Sequence, residues 1–190
     1  MTHKYVLRMT LVKQKNWTLS LGLLALFFTG NLYASDFGLT YTQVLASHEP
    51  TNMHGYRAAV MYQPKILNKP RYSVYFDLGF THLSVDSYPY HSIGIYSIAP
   101  YIRYYFTKTR YVSPYIEASV GFAYLTKLQL ENRPQGIHFT FQDQAGIGLA
   151  YGPEQRFFTT LSAFHYSNGS FSEQNSGITA PLVLTLGYRF

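Results

Sequence analysis

Ser167 and His165, in the stretch Phe164-His165-Tyr166-Ser167-Asn168-Gly169, have the types and spacing of a nucleophile and its base. They stand at the end of a run with strand character, residues 155–166, just before a polar segment, 169–177. On a strand, residues two apart point to the same face. The imidazole and the hydroxyl would therefore be neighbours without help from a distant loop. A serine hydroxyl is a poor nucleophile until an adjacent base can take its proton. Asn168 and the backbone N–H of Gly169 follow at once, where an oxyanion could be held, and the absent side chain of Gly169 leaves room for a substrate. His-x-Ser is unspecific by itself, so its weight depends on where the rest of the chain puts it.

The 190 residues suggest one domain after an N-terminal leader. Charged residues make up only 13% and aromatic residues 18%, which fits an outer surface that meets something apolar. There is no cysteine, so neither a disulfide nor a thiolate metal site enters. The net charge of +6 invites a nucleic-acid partner, but its location excludes one. Lys4, Arg8, Lys13 and Lys15 lie before Ser35 with no acidic residue among them, and what remains is too weakly basic for a phosphate-binding surface. Those basic residues, the apolar run 17–30 and the small Ala34 read as a secretory signal peptide over 1–34, cleaved on export. The apolar run is shorter than the roughly 20 residues a spanning helix needs. The mature domain is then 35–190.

After Ser35 no helical stripe persists, and period-two stretches recur between turn residues. Strands are expected at 36–47, 54–63, 71–83, 91–106, 111–126, 136–151, 155–166 and 178–190. Several exceed ten residues, long enough to cross a hydrocarbon layer at a tilt. In the last strand Ile178, Ala180, Leu182, Leu184, Leu186, Tyr188 and Phe190 form one apolar face, opposite Thr179, Thr185 and Arg189. Apolar outside and mixed inside is the pattern of an all-β, eight-stranded antiparallel transmembrane β-barrel, whose closure leaves no unpaired edge for lipid to meet. The terminal Tyr188-Arg189-Phe190 resembles the end of bacterial outer-membrane barrels. With both termini periplasmic, the seventh strand ends at the cell surface, which sets His165 and Ser167 against the outer leaflet. His82 and His91 flank an outward loop with no carboxylate or cysteine pattern, so no metal site is expected. Basic residues gather in the inferred periplasmic turns (Lys65, Lys69, Arg71, Lys108, Arg110), and only Lys127 and Arg133 fall in an outward loop.

Ser113-Pro114-Tyr115-Ile116-Glu117-Ala118, the stretch 139–152 (FTFQDQAGIGLAYG), His165-Tyr166-Ser167-Asn168, Asn175-x-Gly177-Ile178 and Phe190, in this order, resemble the lipid A 3-O-deacylase (PagL-type) family. The resemblance implies an outer-membrane barrel that hydrolyses the 3-O-linked acyl chain of lipid A in the outer leaflet, without cofactor. It makes Ser167 the nucleophile, His165 the base, and Asn168 with Gly169 the oxyanion site. The family's Glu follows the Asn-x-Gly-Ile segment directly, and here that position is Thr179. Three arrangements stay open: Glu173 in the preceding loop acts as the acid, Thr179 or Asn175 holds the imidazole as a neutral acceptor, or no third member exists. A homodimer is one compatible state. The competing expectation is a non-catalytic barrel with a structural or adhesive surface role.

Overall fold

A computed structural model describes residues 35–86 and 89–190; the expected signal peptide, 1–34, lies outside the described residues. Eight strands form a closed antiparallel barrel: β1 (Ser35–Ala46), β2 (His54–Pro64), β3 (Tyr72–Ser84), β4 (Ser92–Tyr105), β5 (Val112–Leu125), β6 (Phe139–Tyr151), β7 (Phe157–Ser167) and β8 (Ile178–Arg189). Each pairs with its sequence neighbour, and β8 closes on β1, with Gly38 opposite Arg189. This is the outer-membrane type of fold expected from the alternation. Closure gives every strand two hydrogen-bonded neighbours, so the backbone needs no water along the wall.

The alternation sorts the side chains. Leu39, Val60, Leu78, Ile98, Ile102, Val120 and Ile147 are exposed on the outer wall. Tyr72, Tyr104, Phe106, Tyr111, Tyr151 and Phe157 ring the rim that carries the short turns, and Tyr56, Tyr96 and Tyr124 the opposite rim, as an aromatic girdle requires. The lumen is filled, not open. Its middle holds two buried ion pairs. Arg57 Nη2 donates to Asp77 at 2.8 Å. Arg103 donates twice to Glu117 Oε2, at 2.9 and 2.8 Å, and Tyr75 OH donates to the same oxygen at 3.0 Å. Toward the loop rim the filling turns apolar: Leu83, Ile93, Ile95, Leu125, Phe164, Tyr166, Ile178, Ala180 and Val183 pack together.

That apolar plug sets the face of the candidate site. Phe164 and Tyr166 of β7 belong inside it, so His165, between them, must point out.

Three expectations are corrected. The alternation predicts Ile178 and Ala180 on the lipid-facing side of β8 with Leu182, Leu184, Leu186 and Tyr188, and Thr179 inside. Instead Ile178 and Ala180 are fully buried. β8 pairs Ala180 with Phe164 and Val183 with Ser162, so one extra residue on β8 makes a β-bulge there. A bulge reverses the in–out phase of everything beyond it. Pro181, which has no N–H to leave unpaired, sits in it. Second, β6 begins at Phe139 rather than at 136, because Gly136 takes φ +71 in a loop that carries its own short hairpin, Gln129–Leu130 with Arg133–Pro134. Third, β7 starts at Phe157 rather than at 155, since Glu154 and Gln155 hold positive φ in the preceding turn.

Candidate active site

His165 lies in the middle of three strands. On β7 it is directly opposite Thr179 of β8 and Asp143 of β6. His165 Nδ1 and Thr179 Oγ1 are 2.8 Å apart. The bulge in β8 makes this contact. Without the phase change, Thr179 would share the inward face of Thr185, which bonds Thr42 inside the barrel at 2.8 Å. Instead it stands outside, at hydrogen-bond distance from the imidazole. Ser167 follows one step nearer the rim on the same face as His165, half-buried, and opposite Phe141 of β6. The described side chains thus bring His165, Ser167 and Thr179 to one outer patch. Glu173 is exposed in the 168–177 loop and makes no hydrogen bond or ion pair among the described residues.

That loop is tightly held. Asn168 is fully buried. Its N–H donates to Asn175 Oδ1 at 2.9 Å, and its side-chain amide donates to the carbonyls of Gln135 (2.7 Å) and Gln174 (2.9 Å). Its Oδ1 accepts from the N–H of Ser170 at 3.0 Å. The Asn168 amide is therefore committed to shaping the loop, and so is the Asn175 side chain. Gly169, at φ +63, is exposed two residues beyond Ser167. From the other side, Arg133 Nε donates to the carbonyl of Gly177 at 2.8 Å and its Nη2 donates to the carbonyl of Ser176. The same guanidinium pairs with Glu49 at 3.0 Å, and the N–H of Thr179 donates to the carbonyl of Glu49 at 2.7 Å. Three loops thus converge behind the imidazole. Gly177, at φ +64, lies against the ring: a methyl group there would come within 2.9 Å of His165 Cε1. Only glycine meets both the backbone and the space.

Beside Ser167 the wall is aromatic. Phe141 packs on Phe122, Phe139 and Phe171 at centroid distances of 5.9, 5.1 and 5.8 Å. An apolar chain could lie along this shelf with its polar end at Ser167. No cluster of three or more His, Cys, Asp or Glu able to hold a metal ion occurs among the described residues.

Sequence reasoning missed three contributors. Arg133 looked like a spare outward charge and is a clamp on the loop carrying Gly177. Phe141 is the ring opposite Ser167. Asp143 is a carboxylate on the outer face of β6, between Phe141 and Ala145, across from His165. A signal for Asp143 was present, since it interrupts the apolar series Phe139, Phe141, Ala145, Ile147 and Leu149 on one face of the strand. Its nearness to His165 depends on which strand pairs with which.

Comparisons with known proteins agree with the barrel and give its family. The family profile described as lipid A 3-O-deacylase (PagL) matches residues 54–189. A lipid A deacylase PagL of Pseudomonas aeruginosa is 30% identical over 110 residues, which is 57% of this chain and 60% of that protein. The aligned stretch thus spans less than two thirds of that relative. Among solved structures, the outer membrane enzyme PagL superposes with a TM-score of 0.64 at 22% identity, covering 82% of this chain and 99% of that one. Neisserial surface protein A superposes at 0.54 and 13% identity, covering 83% and 97%. Likeness at such identities speaks for the barrel alone, and the same barrel serves an enzyme and a surface protein.

Proposed function

Because the chain belongs to the lipid A 3-O-deacylase (PagL) family, we propose that it is an outer-membrane hydrolase that removes the 3-O-linked acyl chain of lipid A, with Ser167 as nucleophile and His165 as base. The observation that carries this reading is the imidazole held at Nδ1 by Thr179, on the same lipid-facing patch as Ser167. A polar cluster on such a wall is expensive unless it works.

In the proposed reaction Nδ1–H donates to Thr179 Oγ1, which leaves the Nε2 lone pair for the Ser167 hydroxyl. Ser167 Oγ attacks the ester carbonyl as its proton passes to Nε2, and the oxyanion is met by the N–H of Gly169. As the carbonyl carbon–sugar oxygen bond breaks, the imidazolium returns the proton to that departing oxygen, leaving an acyl-serine and a free sugar hydroxyl. Water attacks that ester by the same route, with His165 again taking and returning a proton. The Phe122, Phe139, Phe141 and Phe171 shelf supports the acyl chain in a position continuous with the outer leaflet. No cofactor is needed for this sequence.

A non-catalytic barrel is the competing reading, and one observation favours it: Thr179 stands where the family's Glu is expected. Lipid A from cells with and without this protein, compared by mass spectrometry, decides between them. The expected result is loss of one 3-linked acyl chain with the wild-type protein, and none with Ser167→Ala or His165→Ala, both still folded as heat-modifiable barrels. Identical lipid A in all four samples would refute the hydrolase reading.

A further inference from the structure

We infer that Asp143 is the electrostatic partner of His165, and that the two duties of a triad acid are divided here between two strands. Thr179 on β8 orients the ring; Asp143 on β6 supplies the negative charge. The inference rests on the hydrolase reading above and extends it to a residue outside the family's Ser-His-Glu pattern.

The acid of a triad fixes the imidazole tautomer and stabilises the imidazolium formed as the serine attacks. A threonine hydroxyl can perform the first duty, because it accepts from Nδ1–H. It is neutral, so it cannot perform the second. The register places a carboxylate where the second duty can be met. Asp143 and His165 are directly opposed on adjacent antiparallel strands and share the outer face, a relation that brings Cβ atoms to about 5 Å. An opposite charge within about 4–6 Å favours the protonated ring.

The surroundings make an incidental carboxylate hard to explain. On the outer face Asp143 is next to Val120 of β5, Ala145 of β6 and Ala163 of β7, all exposed to the apolar phase. Phe139 and Phe141 stand between it and the loop rim along β6. Among the described residues Asp143 makes no hydrogen bond or ion pair, so no structural duty accounts for it. The other charges near the ring are differently engaged. Arg133 is occupied by Glu49 and by the carbonyls of Ser176 and Gly177, and Glu173 is exposed in the loop. Gly177 and Thr179 are uncharged. Asp143 is thus the carboxylate that the strand pairing sets facing His165. It acts through the imidazole and takes no proton itself: the proton leaving Ser167 Oγ stays on Nε2 until the leaving oxygen takes it.

The test compares Asp143→Asn, Asp143→Glu and Asp143→Ala with wild type and Ser167→Ala, on lipid A in detergent micelles. Asp143→Asn keeps the shape and removes the charge. Its kcat should fall roughly ten- to a hundredfold, less than when a sole triad acid is lost, with KM within about twofold. Asp143→Glu should recover part of that loss. Asp143→Ala should unfold in urea no earlier than wild type, because a lipid-facing carboxylate does not stabilise the wall. An earlier midpoint would mark a structural role and overturn the inference. Wild-type kcat in Asp143→Asn, with Ser167→Ala inactive, would overturn the inference and leave the hydrolase reading standing. Should wild type release no acyl chain, the hydrolase reading fails by itself. The rate at which a fluorophosphonate labels Ser167 then decides for Asp143: tenfold slower labelling in Asp143→Asn supports it, and equal rates, zero included, overturn it.

Discussion

Replacing Thr179 by valine removes one oxygen and keeps the β-branched shape that β8 needs beside its bulge. The oxygen lost is the one 2.8 Å from His165 Nδ1. A neutral hydrogen bond of this kind contributes about 0.5–1.5 kcal/mol net. Each 1.36 kcal/mol is tenfold in rate, so losing only ring orientation should lower kcat by roughly two- to twelvefold. That is far from the roughly ten-thousandfold loss seen when a triad carboxylate is neutralised, because a hydroxyl carries no charge to lose. The converse change, Thr179→Glu, puts a carboxylate at the family's position, already facing Nδ1 because the bulge turns residue 179 outward. It should raise kcat about tenfold. The assay is release of the 3-linked acyl chain from lipid A in micelles, quantified by mass spectrometry at saturating substrate, with heat-modifiable mobility as the folding control. Undiminished kcat in Thr179→Val would show the contact to be incidental. A Thr179→Glu protein slower than wild type would refute the reasoning that the bulge presents this position to the imidazole.

Gly177→Ala should lower kcat and destabilise the barrel by about 1–2 kcal/mol, because φ is +64 and the new methyl group meets His165; an unchanged rate would show that the ring has room. Glu117→Gln strands Arg103 between the rings of Tyr115 and Phe158 and should destabilise by about 3–5 kcal/mol in urea titrations, with little effect on the patch around His165 and Ser167. Leu184→Arg, on the outer face of β8 opposite Leu161, should cost about 2–4 kcal/mol; a negligible change would contradict the face assigned below the bulge. N-terminal sequencing of the protein extracted from membranes should begin close to Ser35, and an intact Met1 would refute cleavage.

The held loop refines the oxyanion expectation. Asn168 looked available because it follows Ser167, yet its amide spans two carbonyls and its carbonyl oxygen closes a turn. A buried amide keeps such bonds because leaving its donors or the carbonyls unpaired costs more than an exposed site could return. In the proposed reaction the N–H of Gly169 is then the group that meets the developing charge. Arg133 shows the same economy: its charge serves Glu49 and two carbonyls rather than a lipid phosphate.

Period-two alternation, turn residues and the aromatic ends of the strands determined the eight-stranded barrel from the sequence alone. They also placed His165 and Ser167 together, because both facts are local: neighbours two apart on a strand share a face whatever the strand pairs with. The alternation failed where a non-local event intervened. One extra residue near Pro181 is absorbed as a bulge between β8 and β7, which turns Ile178 and Ala180 into the core and Thr179 out to the imidazole. The neighbours across the wall were also beyond local reading. Asp143 meets His165 only through the β6–β7 register, and Arg133 reaches Gly177 from 44 residues away. Strand pairing is set by closure of the whole barrel and by the apolar plug that pins Phe164, Tyr166 and Ile178 inside it. The tertiary structure therefore decided which side chains surround the His165 imidazole, while the sequence alone determined that His165 and Ser167 share one face of a strand.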